Sequence, residues 1–250
     1  MIALITGATA GIGKATAELF AKNGYNIIIT GRRKERLEEF SSHLKANYKI
    51  DVLTLNFDVR KLSEVEAAVN SIPTDWKKIN VLVNNAGLAV GLGPIQDGII
   101  DDWERMIDTN IKGLLYITRT LAPLMIQNGF GHIVNIGSIA GKEVYANGNV
   151  YCATKHAVDA LNKAMRIDML PHGIKVTGIH PGMVETEFSI VRYKGDEERA
   201  KNVYKGLQPL TAEDIADTIY WAASRPAHVN ISDVIITPTV QANATNTIRK

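Results

Sequence analysis

Thr6-Gly7-Ala8-Thr9-Ala10-Gly11-Ile12-Gly13 is the stretch whose reading decides the fold. An apolar run, Ile2–Thr6, leads into it, and a helix-like stretch opens at Gly13. Glycines between a strand and a helix allow a tight turn and close approach of backbone to a pyrophosphate. The helix N-terminus adds free N–H groups and a partial positive charge. The stretch therefore predicts a dinucleotide site formed by Gly7, Thr9, Ala10, Gly11, Ile12 and Gly13.

Working outward, short apolar runs alternate with amphipathic segments to the end of the chain. Strands are expected at Ile2–Thr6, Asn26–Thr30, Val52–Phe57, Val81–Asn84, His132–Ile136, Lys175–His180 and Val234–Thr237. Helices are expected at Lys14–Asn23, Glu35–Lys45, Leu62–Ile72, Trp103–Gln127, Val150–Met169 and Ala212–Ala223. Strands that are apolar along most of their length are buried on both faces. The alternation predicts an α/β fold, a Rossmann-type doubly wound parallel sheet with helices on both faces, as one domain over residues 1–250. Pro181–Gly206 breaks the pattern, and a long insertion at a strand's carboxyl end is usually functional. Residues 183–206 are read as a substrate loop. Pro238–Lys250 is polar and aperiodic, a loose tail or a partner-docking tail.

Composition excludes several classes. The 250 residues can bury a core without staples, and Cys152 is the only cysteine. Disulfides and Cys-rich zinc sites are therefore out. A net charge of +2 gives no ground for nucleic acid or a membrane surface. No apolar run approaches a membrane span, and a cleavable signal would destroy the first strand. A reducing, cytoplasmic setting is expected.

The second strand carries the cofactor preference. A site for NAD usually places a carboxylate about 20 residues past the glycines, on the ribose 2′-OH. Here Thr30-Gly31-Arg32-Arg33 offers no acid. Arg32 and Arg33 suit a 2′-phosphate, so NADP(H) is expected. Asp58, at the edge of the third strand beside Val59, is a weaker candidate for the adenine amino group.

Tyr151 and Lys155 are four apart, one helical turn on the same face. A nearby ammonium is expected to lower the phenol's pKa and let it exchange a proton. Ser138 follows the fifth strand, Asn84-Asn85-Ala86-Gly87 closes the fourth, Asn110 lies in Trp103–Gln127, and Pro181-Gly182 follows the sixth. His156 and His180 show no ligand cluster in sequence, so no metal is expected.

Taken in order, these motifs resemble the short-chain dehydrogenase/reductase family over nearly the whole chain. The resemblance implies an oxidoreductase with Asn110, Ser138, Tyr151 and Lys155 as its catalytic set. Tyr151 would be the general acid/base and Ser138 would hold the substrate oxygen. Lys155 would hold the nicotinamide ribose, and Asn110 a water relaying protons to Lys155. Asn85, Ala86, Gly87, Pro181, Gly182, Val184 and Thr186 would line the cofactor. The family also implies a homotetramer built on Trp103–Gln127 and Val150–Met169.

Further stretches resemble a narrower group, the NADP-dependent 3-hydroxy acid dehydrogenases. They include Met106-Ile107-Asp108-Thr109-Asn110, Gly148-Asn149-Val150-Tyr151 and Pro226-Ala227-His228-Val229-Asn230-Ile231. That implies oxidation of L-serine, L-allo-threonine or 3-hydroxyisobutyrate-like acids, or reduction of malonic semialdehyde. Such substrates carry a carboxylate and call for a cation. Arg192 and Lys194 are the candidates in the loop, while Glu185 and Glu187 would discourage an anion nearby unless turned away. Two alternatives stand beside this reading: a reductase of 3-oxoacyl thioesters or general ketones on the same fold, and a cofactor-binding sensor without turnover.

Overall fold

The computed structural model describes residues 1–250. Seven strands run β1 (Ile2–Ile5), β2 (Asn26–Gly31), β3 (Val52–Asn56), β4 (Val81–Asn84), β5 (His132–Ile136), β6 (Lys175–Pro181) and β7 (Asp233–Ile236). They form one sheet in the order β3-β2-β1-β4-β5-β6-β7, with every neighbouring pair parallel. The expected doubly wound topology is therefore present.

The helices are α1 (Gly11–Lys22), α2 (Lys34–Asn47), α3 (Leu62–Asn70), α4 (Ile100–Ile107), α5 (Leu114–Asn128), α6 (Asn149–Met169), α7 (Phe188–Arg192), α8 (Glu197–Asn202) and α9 (Ala212–Ala223). Alternation along the strands divides the core. Ala3, Ile5, Ile27, Ile29 and Val83 face α1, α2 and α9. Ile2, Leu4, Ile28, Leu82 and Ile133 face α3, α5 and α6. Each fully buried aliphatic side chain contributes about 1.5–3 kcal/mol. Phe20 of α1 meets Tyr25 and Tyr220 of α9 edge to face, at 5.0 and 5.2 Å between centroids, tying the first face together.

Polar side chains cross the second face. Asn84 Nδ2 donates to Thr118 Oγ1 and to Asn135 Oδ1, both at 2.9 Å. Asn135 Nδ2 continues to Asn162 Oδ1 at 3.0 Å. Linked amides of this kind favour one register for β4, β5 and α6.

Four expectations change. Trp103–Gln127 is not one helix: α4 ends at Ile107, and Asp108–Gly113 is a π turn before α5 starts. The first helix opens at Gly11 rather than Gly13. The substrate loop folds into a helical hairpin, α7 and α8, anchored by a bridge between Val184 and Leu210. The tail is not loose. Gln241 is buried, and its Oε1 accepts from the Met183 amide at 2.8 Å. The Lys250 amide donates to the Gly206 carbonyl at 2.8 Å. Arg249 donates to the carbonyls of Lys205 (2.7 Å) and Val203 (3.0 Å). These bonds involve backbone and polar groups, which leave no hydrophobic period in sequence.

His132 is buried in β5. Thr177 Oγ1 gives its proton to the Ile231 carbonyl at 2.6 Å, so at 2.7 Å it accepts from His132 Nε2. Nδ1 has no partner. A proton there would place an unpaired charge in the core, so burial, with Lys175, pulls this imidazole down to about 3. The folded value lies below the unfolded one. The stability this confers is therefore present above about pH 6.5 and lost as pH falls toward 3. Between pH 7 and pH 5, His132→Gln should lose about 2 kcal/mol less stability than the parent in urea titrations. Parallel losses in the two proteins would exclude His132 as an acid-sensitive group.

Candidate active site

β1 and β4 are neighbours whose connections leave in opposite directions, which opens a crevice at their carboxyl ends. Thr6 closes its floor. Its Oγ1 accepts from the amides of Asn85 (3.0 Å) and Ala86 (2.9 Å). Asn85 Nδ2 donates back to the Thr6 carbonyl at 2.9 Å. The glycine loop and Asn84-Asn85-Ala86-Gly87 are thereby held side by side. Gly13 does not line the crevice. A Cβ there would lie 2.5 Å from the Gly7 carbonyl oxygen and 2.4 Å from Asn85 Nδ2, so it permits α1 to approach the loop.

The crevice is a cavity of about 740 Å³. Every cofactor candidate except Gly13 lines it, from Gly7 through Arg32, Arg33, Asp58 and Val59 to Val184 and Thr186. An open N-terminus of α1, a turn of small residues and two arginines at its far end fit a phosphorylated dinucleotide. Arg33 donates to Thr9 Oγ1 from Nη2 at 2.8 Å and lies 3.2 Å from Glu187 Oε2. Arg36, not anticipated from sequence, also holds Glu187, at 3.0 Å. Glu187 thus faces the arginines, and their charge holds its carboxyl below the usual range against the opposing effect of burial. Glu187 is turned toward the arginines and fastens the α7–α8 hairpin to that end of the crevice.

Asp58 is less free than expected. Arg60 grips both carboxylate oxygens, with Nη2 at 2.6 Å from Oδ2, and Arg32 stands 3.9 Å away. Burial raises this carboxyl, but the Arg60 hydrogen bonds and charge bring it below its ordinary value.

At the other end, Ser138, Tyr151 and Lys155 line one wall. Ser138 Oγ accepts from the Ala140 amide at 3.1 Å, which starts the turn Ile139–Gly141. Gly141 lets that turn touch α6, since a Cβ would lie 2.4 Å from the Lys155 carbonyl oxygen. Lys155 Nζ donates to the Ile136 carbonyl at 2.9 Å, at the end of β5. Burial pulls its ammonium down to about 8. Burial also pushes the Tyr151 phenol well above its ordinary value, with Tyr145 adding to the rise. Ser138 and the Arg192 charge oppose this only in part. The expected lowering by a neighbouring ammonium is therefore overturned: a dry wall disfavours both charged forms.

Asn110 stands behind this wall. Its Oδ1 accepts from the Leu88 amide at 2.8 Å, and its Nδ2 donates to the Leu88 carbonyl (2.9 Å) and Thr154 Oγ1 (3.0 Å). The side chain is fully used in joining the π turn to α6 and to the segment after β4. π turns are common at functional sites because they release backbone groups from the regular ladder.

The two candidate cations separate. Arg192 lines the cavity, with its guanidinium carbon 5.5 Å from the Tyr151 ring centre. Lys194 turns away to Asp102, at 2.7 Å, and is corrected as a substrate contact. Sequence reasoning also missed Tyr145, Phe188, Tyr204 and Gln241, which line the same cavity. Only their fold positions bring them there. The absence of a ligand cluster is corrected as well, because Asp159, His180 and Asp233 converge. Lys142 Nζ already stands between the carboxylates, 2.6 Å from Asp159 and 3.7 Å from Asp233. Cys152 is buried beneath Tyr151 and away from solvent.

A family model described as short chain dehydrogenase matches residues 1–197. The chain belongs to this family. It is 49% identical over 245 residues to NADP-dependent 3-hydroxy acid dehydrogenase YdfG of Salmonella typhi, covering 98% of this chain and 97% of that one. It is 44% identical over 241 residues to serine 3-dehydrogenase of Agrobacterium fabrum, covering 96% and 95%. A closed form of serine dehydrogenase complexed with NADP+ superposes with a TM-score of 0.93 at 43% identity, covering 100% of both chains.

The ion pairs of Glu187 with Arg33 and Arg36 are partly exposed, so each is worth about 1 kcal/mol or less. Glu187→Gln should therefore speed amide hydrogen exchange in residues 187–206 about threefold, leaving β1 and β4 unchanged. Unchanged exchange in the hairpin would show that these pairs do not hold it.

Proposed function

We propose that this chain is an NADP(H)-dependent dehydrogenase of small 3-hydroxy acids, oxidising compounds such as L-serine, L-allo-threonine or 3-hydroxyisobutyrate and, in reverse, reducing malonic semialdehyde. The observation that carries this reading is the Arg192 guanidinium beside the Tyr151 ring, at 5.5 Å, in one cavity. A carboxylate held there puts the 3-carbon oxygen of a short acid within reach of the phenol. The names of the two curated relatives support the same substrate class.

NADP(H), when bound, supplies the hydride donor or acceptor. The glycine loop, Asn85–Gly87, Pro181–Gly182, Val184 and Thr186 would hold it, with Arg32 and Arg33 on its 2′-phosphate. In reduction, Tyr151 donates its phenolic proton to the substrate carbonyl oxygen. In oxidation it takes the proton of the 3-hydroxyl. Ser138 Oγ hydrogen-bonds that oxygen and stabilises the charge developing on it. Lys155 holds the ribose hydroxyls. Asn110, bonded to Leu88 and Thr154, joins the π turn to α6, which carries Lys155. Residues 183–206 close over the substrate and exclude water. The protein is further proposed to be a cytoplasmic homotetramer. Exposed Leu115, Ile167 and Leu170, on or next to α5 and α6, support contact between copies.

Three outcomes test these roles. Tyr151→Phe should abolish turnover in both directions while NADPH binding, followed by fluorescence, stays within about twofold; retained turnover would exclude Tyr151 as the acid/base. Arg32→Ala should weaken NADPH by about 1–3 kcal/mol and NADH hardly at all. Equal losses would remove the 2′-phosphate contact. Tyr151 is lifted by burial, so near pH 7 it is the protonated acid that reduction needs. Oxidation needs it to accept a proton, so kcat/KM for oxidation should climb from pH 7 to pH 10 while that for reduction does not. A flat oxidation profile would contradict the assignment.

A further inference from the structure

Tyr145 lies between the turn Ile139–Gly141 and α6, in the small cluster that also contains Tyr151, Cys152 and Phe188. Its hydroxyl accepts from Arg192 Nη2 at 2.7 Å. Its ring centre is 5.4 Å from the guanidinium carbon, about as close as that of Tyr151 at 5.5 Å. The other end of Arg192 is fixed as well. Its backbone carbonyl accepts from the Gly91 amide at 3.0 Å. No carboxylate of the chain pairs with Arg192, whereas Lys194, two residues on, is paired with Asp102. Arg192 Nε is buried and has no partner. The side chain is therefore held at its root by Gly91 and at its tip by one phenol.

We propose that Tyr145 is a specificity-determining residue: it aims the Arg192 guanidinium into the cavity beside Tyr151, and so makes the site prefer acids over neutral alcohols. The inference rests on the reading of Arg192 as the carboxylate partner. A guanidinium anchored by a neutral hydroxyl keeps its whole charge for a substrate. An anchoring carboxylate would cancel that charge before an acid arrived. Burial keeps the Tyr145 phenol in its neutral form, which suits this task. Without the hydroxyl, Arg192 keeps its contact with the two rings but loses the bond that sets its direction. The acid must then order the side chain on binding, a cost that appears in KM.

The test is steady-state kinetics with a 3-hydroxy acid and its primary amide at saturating NADP+. Wild type, Tyr145→Phe, Arg192→Ala and the double variant are compared. NADPH fluorescence titration checks that each variant still binds cofactor. Tyr145→Phe is expected to lower the acid-to-amide ratio of kcat/KM about tenfold, through KM rather than kcat. In the Arg192→Ala background the same change should add nothing to that ratio. A ratio that Tyr145→Phe leaves unchanged, or an equal effect in both backgrounds, would overturn the role of Tyr145 while the Arg192 reading stands. A ratio that Arg192→Ala leaves unchanged would overturn that reading and the role of Tyr145 with it.

Discussion

The clamp between Thr6 and the Asn85–Ala86 amides is the interaction on which the site depends. It joins the carboxyl ends of β1 and β4, the two strands whose connections part company. One hydroxyl accepts two half-buried backbone donors, at 3.0 and 2.9 Å, of which the Asn85 amide is shared with the Val83 carbonyl. Everything that lines the crevice is placed relative to this joint: the glycine loop before it, Gly87 after it, and Ser138 two strands along. The amide chain from Asn84 to Asn135 and Asn162 extends the same registration to α6, which carries Tyr151 and Lys155.

Burial then sets the chemistry. The wall formed by Ser138, Tyr151 and Lys155 is dry enough to disfavour both the phenolate and the ammonium. A charge brought to this wall is worth more than it would be in water. The α7–α8 hairpin brings one, Arg192. The same hairpin is fastened at both ends of the crevice, by Glu187 to Arg33 and Arg36 and by Lys194 to Asp102. The C-terminal segment holds it from outside through Gln241 and Arg249. The Arg33 and Arg36 pair, the α7–α8 hairpin and the wall of Ser138, Tyr151 and Lys155 are thus one connected structure.

The sequence made the sheet legible because strands buried on both faces read as apolar runs. The glycine loop, Asn84–Gly87 and the Tyr151–Lys155 pair were legible because each is defined by spacing within one or two turns. Tyr145, Arg36 and Gln241 were not legible. Their partners lie 47, 151 and 58 residues away, and nothing local marks them. The partners of Lys194 and Glu187 were hidden for a related reason. Charge alone does not say which partner a side chain finds, and both found one in the fold. The π turn at Asn110 was hidden because its buried residues, Thr109, Asn110 and Gly113, leave no apolar pattern to mark it.

The most direct measurement is isotope transfer from L-serine carrying deuterium on C3, incubated with the purified protein and NADP+. Direct hydride transfer at this site predicts that the NADPH formed carries the deuterium on its nicotinamide ring. NADPH without deuterium, or no NADPH at all from any of the proposed 3-hydroxy acids, would contradict it.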